Sequence, residues 1–416
     1  MTKSHNPLAR VLLTLAVLLS LLTTSCERKE LWLPNKQVNI EFALYDINLD
    51  LYFGLDWQYE WQYDWSEEKY GPIGYTAPNS YRATIYTLDG KNGTRRSPFT
   101  RNMTYGGINR VSLIAANWYD MLFYNTNTEY IVSAPDDEYN YFNMTTRANN
   151  SVSYLPKRNS KQITADTTKV YTNYNQPDEL FGVFLRDIYV SEDPDDYEVT
   201  TDEEGKTIYL YHVTATMEPY SFIYLIQPII INNYCDTNDP EKPDSTARVR
   251  TINGITITGL AQGVELYSRK DWTNTISIST EDVKPMQVHR ELRLPDGTVD
   301  KDADICASRI LTWGLPGIDP MEARRTLNET GVAPDLQEGS SLGLNLIFRK
   351  GKAYRMRIDI SDLMANHPSG GVITVVIDAS KFDREDIDKP ENVVTGGGFS
   401  ASVDDWANEV SSQIVI

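Results

Sequence analysis

The sequence predicts an all-β protein built of β-sandwiches, and three observations support this prediction. Apolar and polar residues alternate along many short segments, such as Leu342–Phe348, which is the pattern of a strand with one buried face. Turns rich in Gly, Pro, Asn and Asp separate these segments, whereas the periodicity of α-helices is scarce. Many short strands joined by turns are typical of β-sandwiches.

The clearest local prediction is a hairpin in the C-terminal half. Leu342–Phe348 alternates, Arg349–Lys352 is a polar turn, and Tyr354–Ile360 resumes the alternation with Arg355 and Arg357 on the opposite face. We therefore expect two antiparallel strands with one buried face. The other predicted strands are Val38–Leu44, Tyr81–Leu88, Arg110–Ala115, Thr207–Met217, Phe222–Ile231, Gly254–Leu260 and Val372–Ile377.

An acidic, turn-rich segment, Ser191–Gly205, is poor in apolar residues and cannot build a core. We interpret residues 191–205 as a linker between an N-terminal sandwich at 38–190 and a C-terminal sandwich at 206–395. The alternative is a long acidic loop inside one domain.

The first residues have the pattern of a bacterial lipoprotein signal. Lys3 and Arg10 supply positive charge, and the apolar run Val11–Leu22 is shorter than the roughly 20 residues that span a bilayer. Three small residues then precede Cys26. This pattern predicts removal of residues 1–25 and lipidation of Cys26, which begins a leader at 26–37. The alternative is an ordinary secreted protein with an incidental cysteine.

The charge balance excludes one class of partner. The chain has 39 Lys and Arg against 58 Asp and Glu, a net charge of −19, whereas nucleic-acid binding requires a basic surface. No second long apolar segment follows the signal, so we expect a protein anchored to the membrane rather than spanning it. Cys235 and Cys306 match no metal or redox spacing; they form either one disulfide or two separate buried thiols.

The most unusual segment carries a large aromatic residue at every second position, with polar residues between. As a strand, it would place all five rings on one face. Three interpretations remain open: a core layer of the sheet, a contact with a partner subunit, or a flat platform for sugar rings with Glu60 or Asp64 supplying hydrogen bonds. The five residues are Trp57, Tyr59, Trp61, Tyr63 and Trp65.

The sequence predicts no catalytic site, no metal site and no cofactor. Asp300–Asp304 resembles a calcium loop, but Ile305 stands where the loop needs Gly and Leu311 where it needs Glu, so a solvated acidic turn is expected. Neither a nucleophile elbow nor a phosphate loop occurs. The histidines of the mature chain are His212, His289 and His367, and none of them lies in a zinc motif. His212 is expected to have a structural role.

Both ends of the mature chain resemble fimbrillin-like surface lipoproteins of Bacteroides type. The beginning, Cys26–Leu31, is similar to their lipidated start; Thr395–Phe399 and Val403–Trp406 are similar to their GGGF and VDDW ending; and Leu344–Met364 is similar to the last hairpin of their second domain. The resemblance implies two tandem transthyretin-like Greek-key β-sandwich domains. It also implies lipid-anchored exposure on the cell outer membrane, and it relates the chain to an uncharacterised family beside the fimbrial anchors and minor subunits.

The resemblance implies strand exchange between subunits and a short acceptor motif for O-glycosylation. Residues 396–416 form the C-terminal segment, and the apolar Ile414, Val415 and Ile416 could be donated to a sheet edge of a partner. The alternative is the last strand of the chain's own domain. Because residues 27–37 contain no spare leading strand, an anchor or a free-standing surface lipoprotein is favoured over a stalk subunit. The acceptor motifs would be Asp166–Thr168 and Asp244–Thr246.

These observations together predict a non-enzymatic surface lipoprotein: an anchor, accessory or tip subunit of a type V pilus-like fimbria, or an adhesin. The expected partners are the outer membrane through the lipid anchor, pilin subunits and a host or glycan ligand, with no nucleic acid. The alternative function is a glycan-binding outer-membrane lipoprotein of a nutrient-uptake system.

Overall fold

A computed structural model of the chain describes residues 40–55, 60–153, 171–234, 247–383 and 387–388. Within these ranges the chain is mainly β, as predicted. The strands are β1 (Phe42–Leu51), β2 (Ser80–Leu88), β3 (Phe99–Thr104), β4 (Arg110–Ile114), β5 (Asn117–Asn125), β6 (Ile131–Pro135), β7 (Phe142–Thr146), β8 (Ala148–Ser153), β9 (Tyr171–Tyr174), β10 (Phe181–Val190), β11 (Glu198–Thr201), β12 (Thr207–Pro219), β13 (Phe222–Ile231), β14 (Val249–Ala261), β15 (Gly263–Glu265), β16 (Lys270–Asp271), β17 (Thr275–Thr280), β18 (Lys284–Arg293), β19 (Val299–Thr312), β20 (Ser341–Phe348), β21 (Ala353–Asp359) and β22 (Gly371–Asp378). The helices are α1 (Glu67–Tyr70), α2 (Pro320–Thr330) and α3 (Ser361–Asn366).

Helix α2 was not predicted, although its ends carry ordinary helix signals. The Asp319 side chain accepts hydrogen bonds from the backbone N–H groups of Met321 and Glu322, and Pro320 occupies the first turn. Gly331 ends the helix in the left-handed conformation, at φ 70°. These capping residues explain where the helix begins and ends in a chain that otherwise forms strands.

The described chain separates into two compact units. The described parts of the first unit are residues 40–46, Arg110–Asn117 and Val190–His212. In this unit the start of β1 pairs antiparallel with β4, from Phe42 opposite Ile114 to Asp46 opposite Arg110. The rings of Tyr45, which is buried, and Tyr211, which is exposed, lie 5.1 Å apart in this unit.

Ordered structure also occupies the acidic segment at residues 191–205. Asp193 caps a single 3-10 turn, and β11 pairs antiparallel with the first residues of β12. The Asp202 carboxylate closes the turn between these strands by accepting from the Lys206 backbone N–H at 2.7 Å. The division of the chain into domains at this segment stays a prediction.

The larger of two sandwiches in the second unit, here called the large sandwich, is formed by two facing sheets. One has the order β18-β19-β13-β22, and the other β21-β20-β14-β17-β9-β8. Their facing side chains, such as Tyr224, Ile226 and Ile257, form one buried core. The predicted hairpin lies here: β20 and β21 pair with Leu344 opposite Met356. Both of these residues are buried in the core, which confirms the predicted buried face.

A second sandwich of the same unit, here called the small sandwich, has its own core. The sheet β3-β2-β5-β10-β12 faces the sheet β16-β15-β7-β6. Tyr86 and Leu122 from the first sheet meet Phe142 and Val264 from the second, and Trp313 closes the cluster. The prediction of a β-sandwich protein is therefore confirmed.

The two sandwiches exchange strands between distant parts of the chain. Hairpin β15–β16 follows β14 of the large sandwich but pairs through β15 with β7 of the small one, with Val264 opposite Met144. In the other direction, β8 and β9 extend the large sandwich, where Asn173 lies opposite Ser277 of β17. The covering of each core thus depends on both halves of the chain.

Candidate functional site

The predicted aromatic segment lies across the outer face of the large sandwich. Trp57 and Tyr59 lie outside the described residues; the described part, residues 60–75, is here called the aromatic strap. The strap was expected to begin as a strand, and this expectation is wrong for residues 60–66: they are irregular apart from a single 3-10 residue and lead into α1. The segment is attached to the sheet by side chains rather than by a backbone ladder.

Aromatic rings of the strap cover the face of β13 and β19 that points away from the main core. Trp61, Tyr63 and Trp65 lie with ring centroids 5.9–6.4 Å apart. They pack on Ile229 and Ile305, within a cluster that is separate from the main core. Tyr63 is buried at 4 % exposure, whereas Trp61 and Trp65 are half-buried. The described rings therefore resemble a core layer more than an open platform for sugar rings.

The far end of the strap covers the rest of the same face. Ile73 and Tyr75 pack on Ile223 and Leu225 of β13. The Tyr75 hydroxyl donates to the backbone carbonyl of Ser221 at 2.9 Å. A strand with one solvated face alternates between buried and exposed residues. Because the strap covers the second face of β13, nine of its ten residues are buried.

Three glutamine side chains fasten the strap to the sheet. Gln62 Nε2 donates to the Arg293 carbonyl and Gln62 Oε1 accepts from the Arg293 N–H, both at 2.7 Å. Gln287 makes the same reciprocal pair with the backbone of Asp64, at 3.0 and 3.1 Å. These side-chain amides form the two hydrogen bonds that a neighbouring strand would otherwise form.

The third glutamine, Gln227, is buried in the middle of β13. Its Oε1 accepts from the Gln62 backbone N–H at 2.7 Å, and its Nε2 donates to Thr374 Oγ1 at 3.0 Å. A buried amide is costly unless both of its ends are paired. Gln227 therefore fixes the position of the strap on an apolar strand, a role that its isolated place in the sequence does not reveal.

Hydrogen bonds and a buried cation hold the aromatic rings in place. The Tyr63 hydroxyl donates to the Pro285 carbonyl at 2.9 Å, and burial raises the pKa of Tyr63. The Lys284 ammonium lies 5.3 Å from the ring centroid of Trp65 and 4.9 Å from that of Tyr70, and its charge is paired with Asp282. A cation over two rings stabilises this corner of the strap.

The structure corrects the interpretation of the acidic Asp300–Asp304 segment. These residues belong to β19, and the turn comes before them at Pro295–Thr298. Asp304 is fully buried and accepts from the Asn233 amide at 2.6 Å and the His289 N–H at 3.0 Å. Across the described ranges, no cluster of His, Cys, Asp and Glu could hold a metal ion.

The three histidines lie in different surroundings. His212 is exposed in the first unit, 3.3 Å from Glu198 and 3.6 Å from Asp46. His289 is paired with Asp302 through a side-chain hydrogen bond that raises its pKa. His367 lies beneath the strap, 3.5 Å from Glu60, and burial lowers its pKa.

Several predicted sites lie outside the described residues. Cys306 is a free and buried thiol, whereas its predicted alternative partner, Cys235, is among the residues not described. No helix of the described ranges is long and apolar enough to cross a bilayer. The other predicted features in undescribed regions are the signal at 1–25, Cys26, the segments 154–170 and 235–246 with the glycosylation motifs, and residues 396–416 with Ile414, Val415 and Ile416.

Comparison with known protein families gives one match. Residues 58–221 match a family described as a domain of unknown function, DUF5119. This match contains the strap and most of the small sandwich. No curated protein matches the chain.

Several solved structures are similar in outline. A candidate adhesin from Bacteroides ovatus is 14% identical, with a TM-score of 0.43, covering 84% of this chain and 93% of the other. A candidate adhesin from Bacteroides thetaiotaomicron is 9% identical, with a TM-score of 0.40 and coverages of 81% and 92%. The fimbrial anchor protein Mfa2 from Porphyromonas gingivalis is 10% identical, with a TM-score of 0.29 and coverages of 80% and 91%. Each of these likenesses covers at least 80% of this chain, at no more than 14% identity.

Proposed function

We propose that this chain is a lipid-anchored protein of the outer-membrane surface, without catalytic activity, which acts as an anchor, accessory or tip subunit of a fimbria or as an adhesin. The observation that carries the proposal is the exchange of segments between the two sandwiches. Neither core is complete without strands from both parts of the chain. We therefore expect the two sandwiches to resist being pulled apart by force. A mechanical subunit needs this property, and an enzyme does not.

The aromatic strap adds to this resistance. It joins residues before β2 to β13, β18 and β19 through side-chain amides and ring packing. Force applied from the N-terminal side would therefore act on a braced sheet instead of peeling off one strand. In this proposal Cys26 carries the lipid, and the aromatic residues or the terminal Ile414–Ile416 engage a partner subunit by packing or by strand addition.

The proposal is tested in cells with a single-atom change at the anchor. We would compare wild type with Cys26→Ser, following incorporation of an alkyne-labelled fatty acid, protease access on whole cells and co-purification of pilin-like proteins. Cys235→Ser is the matched control, since it removes a thiol outside the signal. We expect fatty-acid label and surface exposure in wild type and in the control, and loss of the label in Cys26→Ser.

The outcomes separate the parts of the proposal. Label and exposure together with co-purified pilin-like subunits support the fimbrial role. Label and exposure without such subunits leave a solitary adhesin. A chain that is secreted without label in both wild type and control contradicts the lipid anchor.

A further inference from the structure

A polar cleft of about 470 Å³ lies beside the loop that joins β9 to β10. Its volume falls within the roughly 300–1,000 Å³ typical of small-ligand sites. The cleft is lined by Tyr130, Tyr174, Asn175, Gln176, Asp178 and Glu179, among others. None of these residues belongs to the aromatic strap.

The loop that forms the cleft is held rigidly by hydrogen bonds. Asp178 Oδ2 accepts from the backbone N–H groups of Glu129 and Tyr130, at 2.8 and 2.7 Å. Gln176 Oε1 accepts from the Leu311 N–H at 3.0 Å, which ties the loop to β19. Binding at a preformed site avoids the entropic cost of ordering a loop.

After these bonds are counted, three polar groups of the cleft remain available. Within the described ranges, Asp178 Oδ1, the side-chain amide of Asn175 and Nε2 of Gln176 have no hydrogen-bond partner. They offer a carboxylate acceptor beside two amide donors. Adjacent hydroxyl groups, each of which both donates and accepts, match this combination.

Two tyrosines supply apolar surface next to these groups. Tyr130 is 42 % exposed, and Tyr174 is half-buried. The Tyr174 hydroxyl accepts from Gln262 Nε2 at 3.0 Å, which fixes its ring. Aromatic rings beside polar groups suit a ligand with one apolar face and a polar edge, as sugar rings have.

The charges of the cleft select against anions. Glu179 is neutralised by Arg309 at 2.6 Å, whereas Asp178 forms no ion pair within the described ranges. A lone carboxylate repels acidic ligands, and the free amide N–H groups of Asn175 and Gln176 cannot bind an ammonium group, which is itself a donor. We infer that this cleft binds a neutral carbohydrate. Sugar binding there requires neither lipidation nor pilus assembly, so the two proposals can fail separately.

The test uses the full mature chain on an array of neutral hexose and N-acetylhexosamine oligosaccharides and their sialylated counterparts, with trilysine as a basic peptide probe. Calorimetric titration of the strongest neutral ligand follows. We expect binding of neutral glycans, no binding of trilysine, and affinity lowered about tenfold or more in Tyr130→Ala and in Asn175→Ala. Tyr141→Ala is the control, because Tyr141 is 58 % exposed and does not line the cleft.

Three results would overturn the assignment. They are no neutral glycan bound by the wild type, binding of trilysine in place of glycans, and neutral-glycan affinity unchanged in both cleft variants. Tyr130→Phe, which keeps the ring, is expected to retain most of the affinity. If Tyr130→Phe lost as much affinity as Tyr130→Ala, a role for the ring would be contradicted.

Discussion

The side chain of Gln62 forms with the backbone of Arg293 the two hydrogen bonds of a neighbouring strand. Gln62 Nε2 donates to the Arg293 carbonyl and Gln62 Oε1 accepts from the Arg293 N–H, each at 2.7 Å. Gln62 lies 231 residues earlier in the chain. Its side-chain amide pairs with the last residue of the edge strand β18, where no further strand of the described chain pairs. The pair shows how an irregular segment can cover a sheet.

Removing the side-chain amide of Gln62 or that of Gln227 should destabilise the chain to a degree that depends on burial. Gln62→Ala leaves an exposed backbone pair that water can satisfy, and we expect a loss of about 1 kcal/mol. Gln227→Ala leaves the Gln62 N–H and the Thr374 hydroxyl without their buried partner, and we expect about 2–3 kcal/mol. Urea denaturation measures both, with the exposed Glu68→Ala as a control expected to change little. Equal losses in the two glutamine variants would contradict the burial argument.

Arg95 and Arg96 are adjacent but should differ sharply in their contribution to stability. Arg95 Nε pairs with the buried Asp120 at 2.7 Å, and its guanidinium lies 4.0 Å from the ring centroid of Tyr267. Arg95→Ala leaves Asp120 buried and unpaired, and we expect a loss of about 3 kcal/mol. Arg96 pairs with Asp89 at the surface, so Arg96→Ala should change the unfolding free energy far less than Arg95→Ala does. Thermal and urea unfolding of the two variants test this contrast, and similar losses would refute it.

His367 should make the chain less stable in mild acid. Burial lowers its pKa, and Arg324 acts in the same direction against Glu60. An unfolded histidine titrates near about 6.5, so as the pH falls below that value the unfolded chain binds a proton that the folded chain does not. The unfolding free energy should then fall by up to about 1.4 kcal/mol per pH unit until the folded pKa is reached.

Unfolding from about pH 8 to about pH 5 in wild type and His367→Gln isolates this contribution. The variant should lose less stability in acid than wild type does. His289→Gln provides the opposite sign: the pKa of His289 is raised by Asp302, so its contribution is present below the unfolded pKa and is lost as the pH rises through the folded pKa. An unchanged slope in His367→Gln would show that the acid dependence comes from other groups.

Cys306 should be unreactive while the chain is folded. It is fully buried, and burial raises its pKa to about 12, so little thiolate forms near neutral pH. In a chain with Cys26→Ser and Cys235→Ser, we expect no maleimide labelling in buffer and complete labelling in urea, measured by mass spectrometry. Rapid labelling in buffer would contradict the buried position, and the exposed-thiol variant Ser66→Cys, added to the same background, confirms that the reagent is active.

Strand formation was predictable where the pattern is local. The alternation of Leu342–Phe348 and the apolar run Phe222–Ile231 both correspond to strands, β20 and β13. The alternation around Trp61, Tyr63 and Trp65 is equally regular, yet this part of the chain is irregular. Alternation reports only that every second side chain is buried, and here side-chain amides replaced the backbone ladder that a strand requires.

The candidate sites show the same contrast between what a local pattern reveals and what only the fold reveals. The aromatic rings were identifiable from composition, whereas the polar cleft was not, because Tyr130, Tyr174 and Asp178 belong to no common motif. Asp178 meets Tyr130 only in the folded chain, where its carboxylate accepts from the backbone N–H of Tyr130, 48 residues earlier.

By itself, the sequence determined that the chain is acidic, rich in strands and poor in helices, since charge and period-two alternation are properties of neighbouring residues. Tertiary structure alone decided which segment covers which face. The bond between the Gln62 N–H and Gln227 spans 165 residues, and Val264 pairs with Met144 from the other half of the chain. Such pairings depend on the summed burial of several elements that meet only in the folded chain, and no local pattern records them.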